Sequence, residues 1–352
     1  MIDTELFVHV PLSPSAPKDL YFDPVQQAWI VSRHRDVLNA LRSADLSQTR
    51  PPEPTADWSA KQECQKLQAN MVTALPSFPT SKWQIEIEER ASILLHNLSR
   101  YRPVDLVAGF IRPWCLASAV TATGVDPAHA QRLDHVVRCL SERDAAPENV
   151  DLKYRAKEAN KELDRFFFPP SASHAKSLFL GTAQTAPYFL ASAWTALFQH
   201  LPQAKQLRIH PNWTRTATEE LLRYAGPVHT LFRQAGKDMN IGGTKIRCGD
   251  RLILKLGSAN RDPERFPEPN RLDFTRDVAG HLALSAGPHY CVGASIVRIM
   301  TAIATRAILA LYSEPQLSEP VEWSCGTMLI WPSSLPVLLG NGPSCVPHEC
   351  HC

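Results

Sequence analysis

One stretch constrains this chain more than any other: HLALSAGPHYCVGASIVR, residues 281–298, sets Cys291 in a turn-rich loop that opens a long apolar run. Gly287 and Pro288 punctuate the approach, and Gly293 follows the cysteine, so backbone there can come close to whatever the sulfur holds. Residues 294–312 then read as a helix. A sulfur at a helix N-terminus sits at the positive end of the helix dipole beside unpaired N–H groups, which predicts a lowered thiol pKa and a metal-binding thiolate. Against this stands the bland reading that a free cysteine is more often a buried small hydrophobe.

The rest of the composition describes an ordinary globular chain. With 352 residues, 44% hydrophobic and 20% charged, it can bury a substantial core. A net charge of +2, with no block of like charges, gives no reason to expect nucleic acid or an anionic membrane as partner. Residues 178–198 approach the length of a membrane span, but Thr182, Gln184, Thr185 and Pro187 interrupt them, so a buried central helix is expected. The early acidic residues fit neither a secretory signal nor an anchor. Nine cysteines, an odd number spread along the chain, read as a reduced, cytoplasmic set rather than a disulfide framework. The sequence is read as one domain over residues 1–340, followed by a disordered Cys/His-rich tail, 341–352. In that tail Cys345, His348, Cys350, His351 and Cys352 leave two readings open, a zinc site or a frayed terminus.

Two further segments stand in order before the cysteine. In TEELLRYAGPVHTLFR, Glu220 and Arg223 lie one helical turn apart, and in DPERFPEPNRLDF, Arg271 follows a Phe266-Pro267-x-Pro269 frame. Between them residues 240–263 read as strand, Gly-Gly turn, strand and helix start. Taken with Gly287-x-His289-x-Cys291-x-Gly293 and Arg298, this order resembles the cytochrome P450 family over roughly residues 20–340. Two positions of the loop depart from the family pattern: Leu284 stands where the family has Phe, and Ser285 where it has the first Gly.

The resemblance implies a mainly α fold with a smaller β region, holding haem b between a central helix and the Cys-loop helix. It makes Cys291 the ligand of the haem iron, places Leu284, Gly287 and Gly293 around the sulfur, and gives Arg233 and His289 to the haem propionates. It ties Glu220, Arg223 and Arg271 into a buried cluster beneath the haem. The early helix that commonly supplies a His and an Arg to a propionate offers Lys66 instead. On the open side of the haem, the substrate would meet Gly181, Val228, His229, Thr230, Leu231, Met328, Leu329 and Ile330.

The central helix departs from the family most. Counting back from His200 puts Gln184 at the position of the usual acid and Thr185 at that of the alcohol, and Leu201 allows a register one residue earlier. In either register no carboxylate is present. An amide holds water but has no useful pKa, so proton delivery falls to Thr185, solvent or substrate. Pro187 should kink the helix just beyond the pair.

The implied function is that of a haem-thiolate monooxygenase or oxidase acting on a small organic or natural-product substrate, free or carrier-bound, by hydroxylation or oxidative coupling. The 352 residues contain no recognisable flavin or nicotinamide domain, so electrons would come from a separate ferredoxin-type partner. Two alternatives stay open. One is a haem enzyme of non-standard chemistry, using peroxide, coupling radicals or rearranging its substrate without net oxidation. The other is a haem-free auxiliary of a glycosyltransferase.

Overall fold

The apolar run after Cys291 forms the helix Ala294–Leu311. It packs on the helices Ser81–His96 and Thr214–Ala225. Tyr312, just past its end, donates to the Leu95 carbonyl at 2.5 Å. By length and composition this helix could cross a membrane, but half of it is buried inside the protein, as in a core helix. The computed structural model describes residues 20–48, 80–168, 173–312 and 314–340. Lys66 and the Cys/His-rich tail therefore lie outside the described residues.

The central segment runs through the main core as expected, but its irregularity falls elsewhere. It consists of the helix Ser173–Leu180, a π-helical turn Gly181–Thr185 and the helix Ala186–Gln199. Pro187 has no N–H, and its ring crowds the carbonyl four residues back, so the preceding turn widens and the Ala186 N–H bonds Gly181. The distortion thus covers Gln184 and Thr185 themselves rather than lying beyond them. Past the proline nearly every residue is buried. Trp194 stacks on Phe110 at 5.5 Å between centroids and donates to Thr305 at 3.1 Å, which fixes the central segment to the Cys-loop helix.

The sheet region is smaller. Its largest sheet has the spatial order Tyr21–Asp23, Ala28–Val31, Arg251–Lys255, Thr230–Ala235, Leu46–Gln48. The pair Ala28–Val31 and Arg251–Lys255 is parallel and the other pairs are antiparallel. Alternation along Thr230–Ala235 sends Leu231 and Arg233 to the interior cavity, while Phe232 joins Ala28, Ile30 and Ile253 on the other face. On the far flank the helices Ala130–Ala145 and Val150–Phe166 pack against each other and enclose a third apolar cluster. Only residues 167–172 then separate them from the central segment. The described cysteines, Cys115, Cys139, Cys248, Cys291 and Cys325, are free thiols.

Candidate active site

A cavity of about 310 Å³ lies between the π-helical turn and the loop that carries Cys291. One wall is Ser177, Gly181, Thr185 and Phe189, residues at four-residue spacing on a single stripe of the central segment. Thr182 and Ala186 flank that stripe. The opposite wall is Leu284, Ser285, His289, Cys291 and Gly293, and the strand side adds Val228, Leu231 and Arg233.

The loop is held by its own backbone. Cys291 N–H donates to the Leu284 carbonyl at 2.9 Å, Tyr290 N–H to Gly287 at 3.0 Å, and Ala294 N–H to Cys291 at 3.2 Å. Gly287 has φ +66°, and a methyl group there would come within 2.7 Å of the Leu41 carbonyl and the Arg42 Cα. Only glycine fits that seat against the helix His34–Arg42. Gly293 is less constrained, since its added methyl would make an ordinary 3.8 Å contact with the Cys291 sulfur.

Ser285 adopts φ +63° where the family pattern has glycine. Its buried hydroxyl has no hydrogen-bond partner among the described residues. Both features cost stability, so Ser285→Gly is expected to stabilise the protein by about 1 kcal/mol, read as a raised thermal midpoint. A lowered midpoint would show that the serine is not strained.

Burial pushes the Cys291 thiol up from its ordinary value; the Gly293 N–H and the charge on Arg298 pull it down only in part. The lowered pKa expected from the helix terminus is therefore corrected: desolvation outweighs the terminus at this depth. A cation at the sulfur would reverse that balance.

Beneath the loop the expected acid–base cluster exists with one member exchanged. Arg223 grips Glu220 with two hydrogen bonds, Nε at 2.7 Å and Nη2 at 2.8 Å, and both side chains are fully buried. The second arginine on Glu220 is Arg276, with Nε 3.3 Å from Oε1. Arg271 turns its side chain out to Glu268 at 3.0 Å and offers the cluster only its carbonyl. Arg223 also donates to the Asn260 carbonyl at 2.9 Å, and the Asn260 side chain accepts from Leu282 N–H at 2.7 Å, which connects the cluster to the Cys291 loop.

Sequence reasoning did not foresee the neighbouring set, in which Glu219 accepts from both arms of Arg298, at 2.5 and 2.9 Å, and lies 3.1 Å from His281. Burial alone would raise the Glu219 carboxyl, but hydrogen bonds from His281 and Arg298 outweigh it and hold it at about 2. The adjacent Glu219-Glu220 pair in the sequence was the available signal, since neighbours on a helix face different partners.

Other predicted residues divide. Gly181, Val228, Leu231, Thr185, Arg233 and His289 line the cavity, whereas Gln184, His229, Thr230, Met328, Leu329 and Ile330 do not. Met328 packs on the far face of the sheet with Phe232. Its carbonyl accepts from His229 N–H at 2.9 Å and from Thr230 N–H at 3.3 Å. Leu329 bridges Val228, and Ile330 N–H donates to Pro227 at 2.9 Å. This segment braces the wall from behind.

Burial, aided by the charges of Arg261 and Lys255, pushes the His229 imidazole down to about 4 from an ordinary 6.5. The unfolded chain therefore takes up this proton first as pH falls, and stability drops between about 6.5 and 4. His229→Gln is expected to flatten that part of the curve in urea unfolding across this range; an unchanged slope would exclude His229 as its source.

A family model described as Cytochrome P450 matches residues 207–336. Cytochrome P450 monooxygenase PikC of Streptomyces venezuelae is 40% identical over 136 residues, 38% of this chain and 33% of PikC. Polyketide biosynthesis cytochrome P450 PksS of Bacillus subtilis (strain 168) is 28% identical over 285 residues, 72% of this chain and 70% of PksS. The match thus spans about a third of the first relative's length and over two thirds of the second's. The crystal structure of P450BioI in complex with hexadec-9Z-enoic acid ligated acyl carrier protein shares the fold, with a TM-score of 0.79 at 22% identity over 90% of this chain and 94% of that one. Residues 207–336 thus match the cytochrome P450 family model, and the fold is that of solved cytochrome P450 structures.

That family and fold carry haem b, and the cavity's donor set fits it. A sulfur faces the space from one wall, with an arginine and a histidine beside it to meet carboxylates. At Gly181 on the facing wall, an added methyl would touch nothing within 4 Å.

Proposed function

We propose that this protein is a haem-thiolate monooxygenase or oxidase that hydroxylates or oxidatively couples a small organic or natural-product substrate, free or carrier-bound. The observation that carries the proposal is the placing of Cys291 on a cavity wall opposite Gly181 and Thr185. Haem, when bound, supplies the oxidising chemistry.

The chain's own residues have separate tasks. Cys291 would hold the haem iron as a thiolate, its proton lost to solvent, while Arg233 and His289 would pair with the propionate carboxylates. Thr182 and Thr185 line the cavity, and their hydroxyls would hold a water molecule and pass a proton on. Val228, Leu231 and Gly181 give the substrate an apolar, uncrowded wall. Electrons come from a separate ferredoxin-type protein, which would approach the loop face where Arg42 and Tyr290 are exposed. The names of PikC and PksS, a monooxygenase and a polyketide-biosynthesis enzyme, support this substrate class.

One observation favours a second reading. No Asp or Glu lies among the described residues of the cavity wall. Chemistry that needs no side-chain acid, such as peroxide use or radical coupling, suits that wall. The test of both readings is the spectrum of the purified protein, reduced under carbon monoxide, with haem counted per chain. A thiolate-type Soret band at about one haem per chain is expected, and colourless protein would overturn both. With redox partners supplied, product matching reductant consumption excludes the second reading, whereas peroxide-driven product alone excludes the first.

A further inference from the structure

Gln184 turns away from the cavity and is nine-tenths buried. Its Nε2 donates to Asp144 Oδ2 at 2.8 Å. Asp144 stands on the last turn of the helix Ala130–Ala145. Arg143 holds its other oxygen, Oδ1, with Nε at 2.8 Å and Nη2 at 2.6 Å, which leaves Oδ2 aimed at the amide. Gly326 closes against the same place, for a methyl there would overlap the Asp144 carbonyl. The acceptor is thus fixed from two sides.

Gln184 and Thr185 are consecutive in a single wide turn, so their side chains leave the axis roughly a quarter-turn apart. Anchoring one sets the direction of the other. A π-helical turn also has a nearby α-helical alternative that would rotate both.

We propose that Gln184 is a positioning residue, whose hydrogen bond to Asp144 latches the π-helical turn in the register that presents Thr185 to the cavity. The functional consequence rests on the haem-binding reading above; the latch itself does not.

A reciprocal exchange tests it. Gln184→Glu sets one carboxylate against another and breaks the latch. Asp144→Asn leaves its one oxygen on Arg143 and turns its NH2 to Gln184, whose amide flips to accept it, so this substitution has little effect alone. Combined, the two substitutions restore a donor–acceptor pair with its direction reversed. Hydrogen exchange of the amides at 182–186 is expected to run about tenfold faster in Gln184→Glu and to return to within about twofold of the parent in the double variant. In haem-loaded protein, Gln184→Glu is expected to shift the ferric spin-state band and to change the dissociation constant of imidazole about threefold, and the double variant to reverse both.

Unchanged exchange in Gln184→Glu, or no recovery in the double variant, overturns the latch. A change in thermal midpoint with the spin state and imidazole affinity unmoved overturns the positioning role. Should the parent bind no haem, the proposed function fails, and exchange in the haem-free chain still decides the latch.

Discussion

Cys291→Ala is expected to remove the thiolate-type band of the reduced, carbon monoxide-treated protein completely and to lower turnover at least about a hundredfold. No other described cysteine can substitute. Cys115 and Cys139 are buried in apolar clusters, and Cys248 and Cys325 lie on the surface. None of these four lines the cavity. Cys248→Ala and Cys325→Ala, made as controls, should leave the spectrum untouched. Haem content should fall without vanishing, because Arg233 and His289 still offer partners to the propionates. An unaltered band in Cys291→Ala would mean that the sulfur is not the ligand, and the functional reading would go with it.

The second large effect is on folding. Glu220→Ala or Arg223→Ala leaves a charge buried without its counterpart, at 0–1% side-chain exposure. Such a loss typically costs about 3–5 kcal/mol, enough to leave a marginally stable domain largely unfolded. The two outer arginines should then separate. Arg276, 8% exposed and bonded to Glu220 and to the Pro267 and Glu268 carbonyls, is expected to cost about 1–3 kcal/mol on truncation to alanine. Arg271, 63% exposed on a surface pair, should cost under about 1 kcal/mol. Urea midpoints of Arg276→Ala and Arg271→Ala measure the difference. Equal losses would restore Arg271 to the cluster.

The exchange of these two arginines shows where a sequence stops being readable. Glu220 and Arg223 could be paired because a helix has a fixed period and i,i+3 residues share a face. Arg271 and Arg276 both lie in irregular chain, where no period says which guanidinium turns inward. The Cys291 loop was legible for the opposite reason. Gly287, Cys291 and the apolar run that follows are local features, and each carries its own steric meaning.

Gln184 was misplaced because its direction depends on the winding of the turn. Ordinary α-helical counting puts a residue on the wrong face once the helix widens. The Met328–Ile330 error has a related origin in the pleat. Which face a strand residue occupies depends on pairing, here the bridge from Leu329 to Val228, and pairing is not written in either segment alone. The direction of the Cys291 shift turned on depth of burial, which only the assembled fold defines.

The seat of Gly287 against Leu41 and Arg42 has a consequence for biogenesis. The sulfur-bearing loop is shaped by an early helix, by Asn260 far along the chain, and by a carboxylate on Glu219 that reaches Arg298 beyond the cysteine. Contacts this remote in sequence form late, after most loop-closure entropy has been overcome. Cofactor capture should therefore trail ribosomal synthesis of both halves, and a nascent chain stalled before the Arg298 helix would emerge without a receptive pocket.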